Sequence, residues 1–142
     1  MTNMCVTRFA ALAMVMFSGH ALAEQTVVCP ERVLLESATL SQNSVPAGFE
    51  QMVRQYPLRL RGVSIYDGHP QDNADLKPDD EMAQHPSWTL EGNYPEGKWL
   101  ACNYGTGATK LIMRLDDASA YCTAVSEKGP IHEQINVTVT CR

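Results

Sequence analysis

The chain has 142 residues, 16 acidic against 11 basic, a formal net charge of −5 and five cysteines. Its length fits one domain and is too short for two. The acidic balance excludes nucleic acid as a partner, since phosphate binding is driven by clustered Lys and Arg, and no stretch has the about 20 apolar residues that a membrane-spanning helix needs.

In chain order, Met1 to Ala23 reads as a cleavable export signal. Arg8 supplies the positive flank, Phe9 to Phe17 a short apolar run, and Ala21-Leu22-Ala23 the small residues before a cleavage site. Removal would leave residues 24–142 as a single periplasmic domain. Cys5 would be lost with the signal, leaving Cys29, Cys102, Cys122 and Cys141 as an even set in an oxidising compartment, which predicts two disulfides. Thr26 to Leu35 is β-branched around Cys29-Pro30 and predicts a first strand with proline near an edge. Asn43 to Tyr56 predicts a helix: Phe49, Met52, Val53 and Tyr56 recur at i, i+3, i+4 and i+7, Pro46 suits a first turn, and Pro57 stops it.

In Leu58 to Tyr66 the apolar residues change parity, from Leu58 and Leu60 to Val63 and Ile65, and a β-bulge at Gly62 would keep both pairs on the core face. Asp67 to Gln84 is rich in Asp, Gly, Pro and Asn and reads as a long surface loop. Strand-like runs follow at Ser87 to Leu90, Lys98 to Tyr104, Thr109 to Leu115 and Ala120 to Val125, with a tight turn at Gly105-Thr106-Gly107. The last run is the clearest, because Ile135, Val137, Val139 and Cys141 alternate with Asn136, Thr138 and Thr140. The fold expected is α+β: a small antiparallel sheet, meandering in the second half, with one helix packed on it and disulfide staples.

If the runs at 98–104, 109–115 and 120–125 pair as consecutive hairpins, Cys102 and Cys122 lie about 9.6 Å apart, two strand spacings and beyond disulfide reach. Two pairings remain. Cys29 to Cys102 with Cys122 to Cys141 is preferred over Cys29 to Cys122 with Cys102 to Cys141.

The segments Val63-Ser-Ile-Tyr-Asp-Gly-His-Pro70, Ala74-Asp-Leu-Lys-Pro78, Trp88-Thr-Leu90, Trp99-Leu-Ala-Cys-Asn-Tyr104 and Tyr121-Cys122 together resemble a family of small exported proteobacterial proteins with two cysteine pairs, some near interbacterial toxin loci. The resemblance covers nearly all of the chain from Cys29 to Cys141. It implies a periplasmic β-rich domain without catalytic residues, and immunity to a toxin directed at the cell wall. Size and cysteine use are also similar to periplasmic lysozyme inhibitors, whose short motif is not recognisable here.

The loop carries Asp67, His69, Asp72, Asp75, Asp79, Asp80 and Glu81. Asp72-Asn73-Ala74-Asp75 lacks the glycine and terminal bidentate glutamate of a calcium loop, so no metal or other cofactor is expected. His69, His85 and His132 are scattered, unlike paired zinc ligands. The serines offer no nucleophile elbow, and the cysteines are better explained by pairing than by thiol chemistry. Asn136-Val137-Thr138 matches a glycosylation sequon by chance, within a strand. The candidate partner-binding residues are Tyr66, Asp67, His69, Asp72, Asp75, Trp99 and Tyr104, because aromatic residues beside a tight turn suit partner recognition. Trp99 and Tyr104 have opposite parity, so a regular strand sends at most one of them to the core. The expected function is non-catalytic binding of another periplasmic protein, as an inhibitor or immunity factor for a peptidoglycan-acting enzyme. The alternative is a small carbohydrate-binding module or hydrolase using the acidic loop 67–81.

Overall fold

The computed structural model describes residues 24–52 and 56–142. The export signal at 1–23 and Val53 of the expected helix lie outside those residues. Among the described residues nine strands form: β1 (Gln25–Cys29), β2 (Arg32–Val33), β3 (Leu58–Asp67), β4 (Asp75–Leu76), β5 (Ser87–Thr89), β6 (Lys98–Tyr104), β7 (Thr109–Arg114), β8 (Tyr121–Lys128) and β9 (Ile135–Cys141). They make two antiparallel sheets. Sheet I runs β1-β9-β8-β5, and sheet II runs β2-β3-β6-β7 with β4 also paired to β3.

The architecture is therefore all-β, and the expected α+β class is corrected. Among the described residues the only helical pieces are 3-10 turns at Gln42–Ser44 and Pro70–Asp72. The helix predicted over 43–56 is absent from its described part for two reasons. Gly48 has φ +88°, a left-handed conformation that interrupts any right-handed helix. The apolar stripe also has nothing to cover, since the two sheets already bury each other: Phe49, Met52 and Tyr56 are 72%, 81% and 66% exposed. A short helix without a packed face is marginal in water.

The bulge at Gly62 forms as the parity change implies. Leu60 opposes Tyr104 and Gly62 opposes Asn103, so Arg61 is the extra residue. Leu60 and Ile65 are consequently both buried, with Leu58 and Val63 packed against the core. One core cluster unites the sheets: Cys29, Cys122, Ala124, Val137, Val139 and Cys141 from sheet I meet Leu60, Ile65, Leu100, Cys102 and Tyr104 from sheet II.

The disulfides are Cys29–Cys102 and Cys122–Cys141, the preferred pairing, but the strand order behind it differs from the expected meander. β6 and β7 form a hairpin, whereas β8 crosses to sheet I between β5 and β9. Cys102 and Cys122 are thus in different sheets, not two strands apart in one. Cys29–Cys102 links the sheets across the core with Cα atoms 5.8 Å apart. Cys122 and Cys141 are direct cross-strand partners. Beside them Tyr121 and Arg142 exchange both backbone hydrogen bonds, which makes 122/141 a non-hydrogen-bonded pair, the position where Cα atoms approach most closely.

Candidate functional site

Along β6 the side chains alternate between the faces of sheet II. Leu100, Cys102 and Tyr104 enter the core, so Trp99, Ala101 and Asn103 occupy the outer face. Register extends that face over the neighbouring strands. Asp75 on β4 opposes Tyr66 on β3, Tyr66 opposes Trp99, and Trp99 opposes Arg114 on β7. One row thus crosses four strands in the order acid, phenol, indole, guanidinium.

Further from the 67–76 loop, the next rows are Ser64, Ala101 and Ile112, then Gly62, Asn103 and Lys110. The polar groups there satisfy one another. Asn103 Nδ2 donates to Ser64 Oγ at 2.9 Å, and Lys110 Nζ donates to Asn103 Oδ1 at 3.0 Å and to the Gly107 carbonyl at 2.8 Å.

The loop after β3 brings His69 to this face. Its ring meets the Trp99 ring edge-on, with centroids 4.9 Å apart. His69 also caps the 3-10 turn Pro70–Asp72, its Nδ1 accepting from Gln71 N–H at 3.3 Å; that bond leaves the proton of the neutral ring on Nε2. The loop is tied down by backbone bonds from Asp67 N–H to Ala74 O at 3.0 Å and from Gly68 N–H to Gly97 O at 2.8 Å. Gly97, at φ +82°, sits where a Cβ would come within 2.6 Å of Arg114 Nε. Glycine there lets Arg114 lie across the loop while its Nη2 pairs with Asp117 at 3.1 Å.

Four of the seven expected residues, Tyr66, His69, Asp75 and Trp99, therefore come together. Three do not. Tyr104 is wholly buried, and its hydroxyl donates to Pro30 O at 2.9 Å; burial also raises its pKa above the ordinary phenol value. Of the opposed aromatic pair on β6, Trp99 is the outward one. Asp67 opposes Lys98 at the end of the core face, and Asp72 sits in the exposed 3-10 turn.

Lys98 is buried, its Nζ donating to the carbonyls of Asp117 and Ser119 and lying 5.3 Å from the Tyr94 ring centroid. Burial first, then the nearby Asp67 charge, raises the Tyr94 pKa. This group closes one end of the core and gives no sign in the sequence. Ile112 and Arg114 on the outer face were also missed, although the alternation of Lys110, Ile112 and Arg114 carried the signal.

Three of the loop carboxylates have local structural partners. Asp79 accepts from Thr89 N–H at 3.1 Å, Thr89 Oγ1 at 3.0 Å and Ser87 Oγ at 3.4 Å, fastening the loop to β5. Asp80 accepts from Met82 N–H at 2.9 Å, and Glu81 faces Lys77 at 3.5 Å on the surface. Among the described residues no three His, Cys, Asp or Glu side chains gather to hold a metal ion. None of their helices is long and apolar enough to cross a membrane.

Residues 54–142 match the family model described as type VI secretion system Tli immunity protein. The match takes in β3 to β9 and the whole outer-face row, and leaves β1, β2 and Cys29 outside it. No curated protein and no solved structure matches the chain. With more than half of its length matched, the chain belongs to the type VI secretion system Tli immunity protein family.

Proposed function

We propose that the chain neutralises one toxin by stoichiometric binding, covering it with the outer face of sheet II, and that it does so without catalysis in the periplasm, to which residues 1–23 direct it. The observation that carries this reading is the row Asp75–Tyr66–Trp99–Arg114. It places an indole and a phenol, backed by an edge-on imidazole, between an acid and a base on an outer sheet face. Aromatic and arginine side chains dominate the energetics of partner recognition, and flanking charges fix register and orientation. Within the row Tyr66 is buried at 6% exposure while Trp99 is half-buried, so Trp99 is the aromatic side chain that a partner can reach.

The finer reading is that the toxin acts on peptidoglycan, the polymer in the compartment to which an export signal leads. Family membership supports the immunity role, and the net charge of −5 favours association with a basic toxin surface.

The test uses the purified effector encoded beside the chain's gene. Binding should be 1:1 and should weaken about tenfold or more in Trp99→Ala, in line with the loss of a hot-spot aromatic. Unweakened binding in that variant would remove the outer face from the interface. Digestion of isolated sacculi by the effector, blocked by the chain, supports the peptidoglycan reading; an effector inert on sacculi ends that part and leaves immunity standing.

A further inference from the structure

The free edge of β7 has the features of a strand-accepting site. Thr109–Arg114 pairs with β6 on one side and with no other strand of the described residues on the other. Just past the strand, Leu115 N–H donates to Lys98 O. Backbone groups alternate in direction along an antiparallel ladder, so those of Lys110, Ile112 and Arg114 point to the open side. Leu111, Ile112 and Met113 stand 45%, 40% and 37% exposed, on both faces of the strand.

Protein edges are ordinarily blunted by shortness, proline, a bulge or charge. β7 is six residues long with neither proline nor bulge. Its two cations are drawn aside, Lys110 to Asn103 and Gly107 and Arg114 to Asp117.

A second copy of the chain is a poor occupant. The antiparallel register that engages all three outward-facing residues, centred on Ile112, would set Lys110 against Arg114 on both sides of it, and like charges directly opposed are destabilising. The opposite chemistry fits. We propose that β7 takes an extended segment of the toxin as an added strand, with acidic residues opposite Lys110 and Arg114, an apolar residue between them opposite Ile112, and apolar residues opposite Leu111 and Met113. This rests on the toxin-binding reading and adds the element and the chemistry of the partner segment. Arg114 closes the aromatic row, so the added strand continues the same outer face.

Two measurements test it on the full chain. The synthetic peptide Thr-Glu-Val-Val-Val-Glu-Thr should slow hydrogen exchange of the Lys110, Ile112 and Arg114 amides about tenfold, and its counterpart with lysine in place of glutamate should not. Absence of protection, or equal protection by both peptides, overturns the proposal. Ile112→Pro removes an outward N–H and leaves the β6 ladder intact; it should weaken effector binding about tenfold, while Ile112→Thr stays within about threefold. Should Ile112→Pro melt early, the double variant Lys110→Glu with Arg114→Glu should show the same loss. Full affinity in these variants, with Trp99→Ala still weakened, overturns the added strand and leaves the outer-face reading. An unaltered chain that binds no effector overturns the reading beneath it, and dimers of the chain abolished by Ile112→Pro would make a second copy the occupant.

Discussion

Beyond β3, sheet II ends in β2 and β4, strands of two residues each that share its far side, whereas beyond β6 it ends in β7, six residues long and unaccompanied. The first edge is covered and spends its polar groups on itself. Trp88 Nε1 donates to Leu76 O at 3.0 Å, Asp79 fastens the loop to β5, and Pro78 follows β4 closely. The second edge keeps apolar side chains and backbone donors in reach of solvent. Short strands, proline and charge discourage pairing with other chains, and a long apolar edge invites it. The acidic loop carries several of the candidate partner residues, and Asp79 within it ties the covered edge to β5; the proposed recognition surface extends across the outer face toward β7.

This contrast predicts that changes on the covered side appear in stability and changes on the open side in binding. The largest effect should come from Trp88→Ala. Trp88 is 3% exposed and bonded through its indole, and its removal should cost about 3 to 5 kcal/mol in urea unfolding while the folded fraction binds effector normally. A cost below about 1 kcal/mol would show that this edge is not anchored through β5.

Replacing Cys29 and Cys102 together by Ala should cost about 2 to 4 kcal/mol, since the bond closes a sequence separation of 73 residues. Unfolding under oxidising conditions measures it, and an unchanged midpoint would mean that β1 is held by its β9 ladder alone. Asp79→Ala should cost about 1 kcal/mol through three lost acceptor contacts in an exposed setting, read from the same unfolding curves. Arg114→Ala should change stability by no more than about 0.5 kcal/mol, because its ion pair with Asp117 is exposed, yet it should weaken effector binding. Equal losses in both readouts would erase the distinction between the edges.

The smallest effect is alkaline. The pKa values of Tyr104 and Tyr94 are raised in the folded state, both mainly by burial. The fold therefore favours their neutral forms, and this contribution is present in full below the ordinary phenol pKa and lost as pH rises through the higher folded values. Stability should be level at neutral pH and decline above pH about 10, with a smaller decline in Tyr104→Phe; identical profiles would assign the loss elsewhere.

Local pattern made much of the molecule legible. The parity change around Gly62 reported the bulge, the alternation from Ile135 to Cys141 reported β9, and the runs at 98–104 and 109–115 reported a hairpin. The 3.6-residue recurrence of Phe49, Met52 and Tyr56 misled, because periodicity records which side chains could share a face and not whether any surface remains for that face to cover. At the site, Trp99 and Tyr104 were known to oppose each other, but only the position of sheet I identified which side of β6 was inside.

The amino-acid sequence by itself determined the presence of the longer strands, though not β4 within the expected loop or the division of the first strand into β1 and β2, together with the alternation that gives sheet II two chemically different faces and an even set of four cysteines. Tertiary structure alone decided that β8 crosses to the other sheet, that Asp75, Tyr66, Trp99 and Arg114 align in one row, and that β7 is left without a neighbour. Strand identity follows from side-chain period over a few residues, whereas strand partners are chosen by which pairing buries the most apolar surface between segments far apart in the chain.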